Sequence, residues 1–169
     1  MKIVSTVCFL SLILVMLSCR ERPSEFTPVT GFDLTKYLGT WYEIARLPNS
    51  FEKGMTNVTA SYSLRKDGKV KVENAGLKNG KQKNAIGKAK IAGGVNEGFL
   101  RVSFFGPFYG DYVIIDLDEK YSYAMIASSH DLLWILSRTP SLEKEIVDRL
   151  VEKAKTLGFD TSVLYFTPQ

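Results

Sequence analysis

The chain has 169 residues, a length that suits one domain with a single hydrophobic core. Hydrophobic residues make up 45% of it, charged residues 24%, and the formal net charge is +4. These values are ordinary for a globular protein, and basic and acidic residues are mixed along the chain. Because no basic stripe with interleaved aromatic residues occurs, the composition excludes nucleic acid as the expected partner.

The N-terminal sequence predicts that the protein is exported. Met1-Lys2 is a short positive region, and residues 3–17 are almost entirely apolar. This stretch is shorter than the roughly 20 residues that a membrane-spanning helix needs. We therefore predict a secretory signal peptide over residues 1–18.

The segment Val15-Met16-Leu17-Ser18-Cys19 resembles a bacterial lipobox. That resemblance implies that Cys19 carries an S-diacylglycerol group and, after cleavage, an N-palmitoyl group, which together make a stable anchor. The alternative is an ordinary signal peptide with an incidental cysteine. The only other cysteine, Cys8, would leave with the signal peptide. Arg20 in place of Asp resembles an outer-membrane sorting signal, which implies the outer membrane of a Gram-negative bacterium, facing the periplasm.

The residues after Cys19 divide into a tether and a β-rich domain. Residues 19–32 are rich in Pro, Ser and Thr without periodicity, which predicts a lipidated N-terminus and tether before a domain over 33–169. Asp67-Gly68 and Asn79-Gly80 predict hairpin turns. The alternating segments favour an antiparallel sandwich or an up-and-down barrel. They are Trp41–Leu47, Val58–Leu64, Lys69–Glu73, Ala85–Ile91, Phe99–Phe105, Tyr112–Leu117, Ser122–Ala127 and Leu132–Ser137.

One helix follows the predicted strands. Ser141 is the expected N-cap, apolar residues recur at steps of three and four from Leu142 to Leu157, and Gly158 ends the pattern. Such a helix has one polar, solvent-exposed face and one apolar face, so we expect it to lie against the outside of the sheet. Residues 163–166 predict a short final strand.

Three motifs resemble those of the lipocalins. Gly39-Thr40-Trp41 matches the Gly-x-Trp signature, Asp118 the middle motif, and Arg138 the terminal arginine motif. The resemblance is strongest to bacterial lipocalins, outer-membrane lipoproteins of the apolipoprotein D-like branch. It implies an all-β, eight-stranded antiparallel up-and-down barrel with one C-terminal α-helix packed outside and a short final strand. Trp41 would then close one end, with Arg138 stacked on its indole.

Alternation from Trp41, aligned on the family pattern, predicts the cavity lining. Small residues in this set favour a real cavity, whereas the alternative is a filled barrel whose alanines face Trp and Tyr. Glu43 would need a partner or a raised pKa. The predicted lining residues are Glu43, Ala45, Ala60, Tyr62, Val72, Asn74, Gly87, Ala89, Val102, Phe104, Tyr112, Ile114, Ile126 and Trp134.

The predicted cargo is a fatty acid or lysophospholipid, with no cofactor and no bound metal. Catalysis is not expected, because the single histidine, His130, lies in a turn and no nucleophile–base pair or metal-ligand cluster is evident. Two alternatives remain open. One is a filled barrel that binds a membrane, a protein or a second copy through Phe105, Phe108 and Tyr109; the other is a lipocalin-type enzyme.

Overall fold

The computed structural model describes residues 24–169. The predicted signal peptide, the predicted lipidation site Cys19 and the start of the predicted tether lie outside the described residues. The described part contains helix α1 (Leu34–Tyr37), helix α2 (Lys144–Thr156) and a 3-10 helix (Thr161–Val163). Its strands are β1 (Gly39–Arg46), β2 (Met55–Leu64), β3 (Val70–Lys78), β4 (Lys81–Ile91), β5 (Phe99–Ser103), β6 (Gly110–Leu117), β7 (Tyr123–Ser129), β8 (Leu132–Ser137) and β9 (Tyr165–Phe166).

The strands form one antiparallel sheet that closes on itself. Each strand from β2 to β8 pairs with the next, and β1 pairs with β8 on one side and with β2 on the other. Closure leaves no free edge between β1 and β8. The predicted eight-stranded up-and-down barrel is confirmed, as are the external helix and the extra strand.

Turn chemistry is as the sequence predicts. Asn79 and Gly80 have φ values of 53° and 71°, and they join β3 to β4. Both values lie in the left-handed region that a tight hairpin turn requires, and Asn and Gly are the residues that adopt it most easily.

The wall of the barrel separates two hydrophobic clusters. The inner cluster fills the barrel around Trp41, Leu100 and Ile114. The outer cluster lies between the sheet and α2, where Leu150 and Ala154 are fully buried against Ile135. A strand buried on both faces is expected to be apolar at successive positions, which explains the unbroken apolar runs of β6, β7 and β8.

Strand β1 contains an irregularity in its pairing with β8. Glu43 lies opposite Leu136, but Ala45, two residues further along, lies opposite Ile135, only one residue back. Ile44 is therefore the extra residue of a β-bulge.

The bulge reverses which β1 side chains face the interior. Ile44 and Ala45 both belong to the outer cluster, and Arg46, opposite Trp134, is buried. The prediction that Ala45 lines the cavity is wrong, because the alternation that starts at Trp41 does not continue through the bulge.

The C-terminal strand fills the space where β1 and β2 diverge. β9 pairs with Ala45 and Arg46 of β1, while the backbone N–H of Asn57 donates to the carbonyl of Pro168 at 2.7 Å. The side-chain amide of Gln169 donates to the carbonyls of Glu43 and Val58. Residues 165–169 are thus part of the barrel wall.

Helix α2 begins later than the sequence predicts. Its N-cap is Glu143, without a side-chain capping bond, and not Ser141. The Thr139 hydroxyl donates to the carbonyl of Ser141 at 2.7 Å, and Leu142 packs against the outer cluster. These contacts hold the chain out of the helix until residue 144. Gly158, with φ of 88°, follows the end of the helix as predicted.

One end of the barrel is closed by Trp41 and Arg138. Trp41 is fully buried, and the guanidinium carbon of Arg138 lies 3.8 Å from the centre of its ring. The guanidinium also donates to the carbonyls of Lys36, Leu38 and Thr40 at 2.7, 2.9 and 3.0 Å.

A side chain at Gly39 would disturb this arrangement. A Cβ there would lie 3.2 Å from Arg138 Nη1, and the glycine φ is 96°. The structure therefore confirms the predicted stacking of Arg138 on Trp41. It also explains why the Gly-x-Trp motif has glycine at this position.

The segment before the barrel is docked along its described part. Phe26 is buried against the rings of His130 and Phe159, whose centres lie 5.1 and 5.3 Å from its own. Further along, Val29 exchanges backbone hydrogen bonds with Gly98 and Ile114. The tether predicted over residues 19–32 is thus in contact with the barrel from Phe26 onward.

Replacing Arg138 with Met is expected to lower the free energy of unfolding by about 3 kcal/mol, because several carbonyls lose their donor and the indole loses its cation. Urea denaturation of the purified protein measures this change. Arg149→Met is the matched control on α2, where the arginine is half-exposed and should cost less than about 1 kcal/mol. Equal losses in the two variants would contradict a special role for Arg138.

Candidate functional site

Most of the predicted lining residues lie on the inner face of the barrel. Five of them are buried within the inner cluster, namely Tyr62, Val72, Ala89, Ile114 and Ile126. Five more pack against that cluster and remain partly exposed, namely Ala60, Val102, Phe104, Tyr112 and Trp134. Asn74, opposite Ala60 on the neighbouring strand, is partly exposed on the same face.

Several residues on the inner face of the barrel are only partly buried. Ala60, Asn74 and Tyr112 lie within long strands of a closed barrel, yet each retains accessible surface. A barrel packed solidly with side chains would leave such positions fully buried. These three positions are therefore less completely covered than the buried residues of the inner cluster.

Gly87 does not contribute open space. A Cβ at this position would lie 2.7 Å from the carbonyl oxygen of Ser103 and 2.9 Å from Cδ1 of Phe104. The glycine instead allows the Phe104 ring to lie close to β4. Gly87 is therefore covered by Phe104, whereas Ala60 keeps some accessible surface.

Three tyrosines form a hydrogen-bonded chain inside the barrel. The Tyr112 hydroxyl lies 2.7 Å from the hydroxyls of both Tyr37 and Tyr62. Burial raises the pKa of all three phenols, so they are neutral at physiological pH. They provide hydroxyl donors and acceptors without charge, near the Trp41 end of the interior.

A charged cluster lies on the same side of the wall towards the opposite end. Arg46, 2% exposed, forms an ion pair with Glu43 and donates to the Thr167 hydroxyl at 2.9 Å. Thr167 in turn donates to the Glu43 carboxylate. A second carboxylate, that of Glu52, lies 3.8 Å from Arg46 Nε.

Burial and charge raise the pKa of Glu43 to about 7. Loss of solvent is the largest cause, and the nearby Glu52 adds repulsion; the hydrogen bond from Thr167 and the charge of Arg46 act in the opposite direction. One arginine therefore faces two buried carboxylates, and a proton on Glu43 relieves their repulsion. The expectation that Glu43 needs a partner or a raised pKa is met in both respects.

Glu52 also positions the β1–β2 loop, residues 47–54, at this end of the barrel. Its carboxylate accepts hydrogen bonds from Trp134 Nε1 at 3.0 Å and from the Asn49 side chain at 2.6 Å, and its carbonyl accepts from Arg46 at 2.7 Å. Phe51, in the same loop, is 59% exposed and lies 6.4 Å from the Trp134 ring. The loop is thus fixed to the barrel through buried polar contacts.

Sequence reasoning missed Arg46, Glu52, Thr167 and Tyr37 as interior residues. No local signal marks the bulge that turns Arg46 inward, and Thr167 reaches the site from the far end of the chain. Tyr37 enters from α1, which passes under the barrel. A buried charge such as Glu43 does imply a cationic partner, and that implication is the one available signal for Arg46.

The remaining motif residues have structural roles. Asp118 accepts hydrogen bonds from the backbone N–H groups of Lys120 and Ser122 and from the Ser122 hydroxyl at 2.6 Å. Burial pushes its pKa upward, but these hydrogen bonds outweigh burial and leave the pKa lowered. Asp118 therefore shapes the β6–β7 turn and does not reach the interior.

Other kinds of site are not evident in residues 24–169. His130 lies outside the barrel beside Phe26, with its Nε2 3.3 Å from Glu25. Among these residues no group of three or more His, Cys, Asp or Glu could hold a metal ion. None of the helices in this part of the chain is long and apolar enough to cross a membrane.

A closed antiparallel barrel with one plugged end and a largely apolar interior is the architecture of a lipocalin-type protein. The chain belongs to this family: the model of the lipocalin-like domain matches residues 32–169. The predicted lipocalin membership is confirmed.

Individual relatives include a bacterial outer-membrane lipoprotein and an apolipoprotein D. The outer membrane lipoprotein Blc of Vibrio cholerae is 48% identical over 166 residues, which cover 95% of this chain and 97% of that protein. Apolipoprotein D of Mus musculus is 35% identical over 150 residues, covering 82% and 78%. Among solved structures, insecticyanin from the tobacco hornworm Manduca sexta matches with a TM-score of 0.71 and 26% identity, covering 88% of this chain and 86% of that one. The predicted outer-membrane location in a Gram-negative bacterium agrees with the name of the bacterial relative.

Stability should fall as the pH rises through the range in which Glu43 titrates. Between pH 4.5, its ordinary pKa, and about 7, the folded protein keeps a proton that the unfolded chain has released. The free energy of unfolding should therefore decline by about 3 kcal/mol from this group and level off above pH 7.

Glu43→Gln should remove that decline, because glutamine keeps the hydrogen-bonding shape without titrating. Urea denaturation across this pH range measures the slope, and Glu152→Gln on the exposed face of α2 is the control that should keep it. An unchanged slope in Glu43→Gln would show that the buried carboxylate is not responsible.

Proposed function

We propose that this chain is a lipid-anchored outer-membrane lipoprotein that stores or transports fatty acids or lysophospholipids for envelope maintenance. The observation that carries the proposal is the partly exposed, largely apolar inner wall around Ala60, Val102 and Tyr112. A closed barrel that leaves such side chains accessible offers a site for a narrow apolar molecule.

An acyl chain fits the energetics of such a site. Each buried methylene contributes roughly 0.8 kcal/mol, so a chain of about 16 carbons offers on the order of 12 kcal/mol before costs. Lost ligand freedom and incomplete burial remove much of this gain. Dissociation constants in the micromolar to nanomolar range are the expected result.

Polar groups at two levels favour an amphiphile over a pure hydrocarbon. The Asn74 side-chain oxygen is buried and has no hydrogen-bond partner within the described chain, although its residue lies on the accessible inner face. A hydroxyl or amide on a ligand could satisfy it. The Glu43–Arg46 pair lies towards the end opposite Trp41 and gives the interior a second polar group. A charged head group would contact this pair on entry.

The lipoprotein part of the proposal has separate support. The lipobox-like sequence ends at Cys19, and the relative in Vibrio cholerae carries the name of an outer membrane lipoprotein. We infer acylation of Cys19 and a periplasmic position for the barrel. Binding without catalysis is the expected activity, since His130, the single histidine, lies outside the barrel.

A second candidate function is supported by one surface feature. Phe105 and Phe108 are 83% and 79% exposed on the β5–β6 loop, which is unusual for rings of this size. A filled barrel that acts only as an interaction module, with or without homodimer formation, would use the same surface. Ligand binding distinguishes the two functions.

Filling the interior should weaken lipid binding. Ala60→Phe places a ring in the accessible part of the barrel, whereas Ser61→Phe places the same ring at the next residue, on the outer face. We expect Ala60→Phe to weaken binding of a fluorescent fatty acid by about tenfold or more, and Ser61→Phe to change it less than about twofold. Titration by fluorescence, with thermal melts to confirm folding, measures both. Saturable binding that Ala60→Phe leaves intact would place the ligand elsewhere.

Metabolic labelling tests the anchor. Radiolabelled palmitate should enter the wild-type protein and be absent from Cys19→Ala, because that side chain and its α-amine are the expected acylation sites. Cys8→Ala is the matched control and should keep the label, since Cys8 lies within the predicted signal peptide. Label that persists in Cys19→Ala would contradict the anchor.

A further inference from the structure

Asn74 lies halfway along the inner wall of the barrel. Trp41 and Arg138 close one end, and we term the other end, where β1 finishes at Arg46 and the β1–β2 loop begins, the mouth. Strand β3 runs from the closed end to the mouth, and Asn74 is at its middle. Because a ligand enters at the mouth, the Asn74 side chain would contact the middle of an elongated molecule and not its entering head group.

Alanines flank Asn74 on both neighbouring strands. Ala60 of β2 and Ala85 of β4 lie directly opposite it in the two strand pairs, so all three residues face the interior. Ala60 is partly exposed, and Ala85 is exposed. A methyl group covers less of a neighbouring amide than a longer side chain does. The Asn74 side chain therefore stands beside two accessible positions of the inner wall.

The carboxamide oxygen of Asn74 lacks a hydrogen-bond donor. Its Oδ1 atom is buried and has no partner among residues 24–169. Most buried side-chain polar atoms in folded proteins are paired, and an unpaired one carries the full cost of its lost hydration. A ligand group that donates a hydrogen bond at this point would remove that cost.

The tyrosine chain has the opposite deficit. Tyr112 of β6 is hydrogen-bonded to Tyr37 of α1 and to Tyr62 of β2, a strand that is not its neighbour, so the phenols reach across the interior. Burial raises the pKa of all three phenols, and each keeps its proton. Two hydrogen bonds use two of these three protons. Within the described part of the chain the third proton has no acceptor.

The amide and the phenols are close enough to form one polar subsite. Tyr62 lies opposite Val72, and Asn74 is the next inward residue of β3 towards the mouth. Asn74 and Tyr62 are thus diagonal neighbours on one face of the sheet, a relation in which Cα atoms lie about 7–8 Å apart. A small ligand group between the two side chains could contact both.

A hydroxyl is the group that corrects both deficits. It donates to the amide oxygen and accepts from the phenol chain, and it also pairs with the amide if the NH₂ end turns into the barrel. A carboxylate cannot donate to the oxygen, and it would bring a charge among neutral side chains. A methylene neither donates nor accepts, so it would leave the amide oxygen buried and unpaired.

From these observations we propose that Asn74 and Tyr62 form a subsite for a hydroxyl in the middle of an acyl chain. This inference rests on the proposed lipid cargo and narrows it to one class, the mid-chain hydroxy fatty acids. The chain lies along the accessible alanines, with its carboxylate towards Arg46 at the mouth. Its hydroxyl donates to Asn74 and accepts a hydrogen bond from the phenol chain. Asn74 is then a residue that determines which acyl chains the barrel selects.

Two isomeric hydroxy acids and their parent chain test the subsite in the wild-type protein. The probes are 10-hydroxystearate, 2-hydroxystearate and stearate, each measured by displacement of a fluorescent fatty acid. We expect 10-hydroxystearate to bind about tenfold more tightly than stearate, because it pairs with the amide that stearate leaves unpaired. In 2-hydroxystearate the same group lies beside the carboxylate, so its affinity should stay within about threefold of that of stearate.

Substitutions at the two subsite residues should change this preference. Asn74→Leu keeps the size of the side chain and removes the amide, so 10-hydroxystearate should become about tenfold weaker than stearate, because its buried hydroxyl loses a partner. Tyr62→Phe keeps the ring and should reduce the wild-type preference to about threefold or less. Asn84→Leu is the matched control, the same exchange at an exposed position opposite Ala75 on the outer face, and should keep the wild-type ratio.

The ratio of two affinities is the readout, because a general loss of stability or of interior space weakens both ligands together. An unchanged ratio in Asn74→Leu or in Tyr62→Phe would overturn the subsite. So would equal wild-type affinities for 10-hydroxystearate and stearate, the result expected if water pairs with Asn74 in the complex, although the lipid cargo would then stand. Equal affinities for the two isomers would overturn the mid-chain position. If the wild type binds none of the chains, the proposed cargo fails and the subsite fails with it.

Discussion

The stacking of Arg138 on Trp41 is the interaction on which the rest of the barrel depends. The arginine comes from the end of β8, the indole from the start of β1, and the carbonyls that receive its hydrogen bonds from α1 and from the β6–β7 turn at Tyr121. One side chain therefore joins the first and last long strands and the segment that crosses beneath them. Its charge is met by carbonyl dipoles rather than by a carboxylate, and burial accordingly lowers its pKa. With this end fixed, all access to the interior is left to the other end.

The sequence predicts those features that depend on local chemistry. Asn79-Gly80 specifies its turn through φ values that few other residues adopt. Alternation over residues 59–64 of β2 and 123–127 of β7, outside the irregular pairs of these strands, separates inner from outer side chains. Prediction from the sequence fails where a contact with a distant residue determines which way a side chain faces or how large it can be. Ala45 faces outward because of one extra residue in β1, and Gly87 is small because the Phe104 ring covers it. Neither the bulge nor the ring position is encoded within the few residues around it, so a period-of-two pattern could not reveal them.

The polar interior has the same long-range character. Glu43 and Arg46 lie three residues apart, but Glu52 comes from the mouth loop and Thr167 from the C-terminal segment. The cluster thereby couples the position of a loop at the entrance to the protonation of a carboxylate inside the wall. Two buried carboxylates around one arginine are costly unless a proton is shared, which is the reason that the Glu43 pKa is raised despite a direct ion pair. Apolar replacement of such a cluster would stabilise the barrel at the expense of this coupling.

The contribution of residues 165–169 to the wall has a consequence for how the protein assembles. Strand β1 finds neither β8 nor β9 until about 90 to 120 further residues have followed it. A chain that crosses a membrane N-terminus first must therefore carry β1 as an open strand edge through most of its passage. Its contacts are among the least local in the molecule, which predicts slow closure and a period of exposure to other chains. An anchor that holds the N-terminus at one surface during that interval would keep incomplete barrels apart from the bulk periplasm.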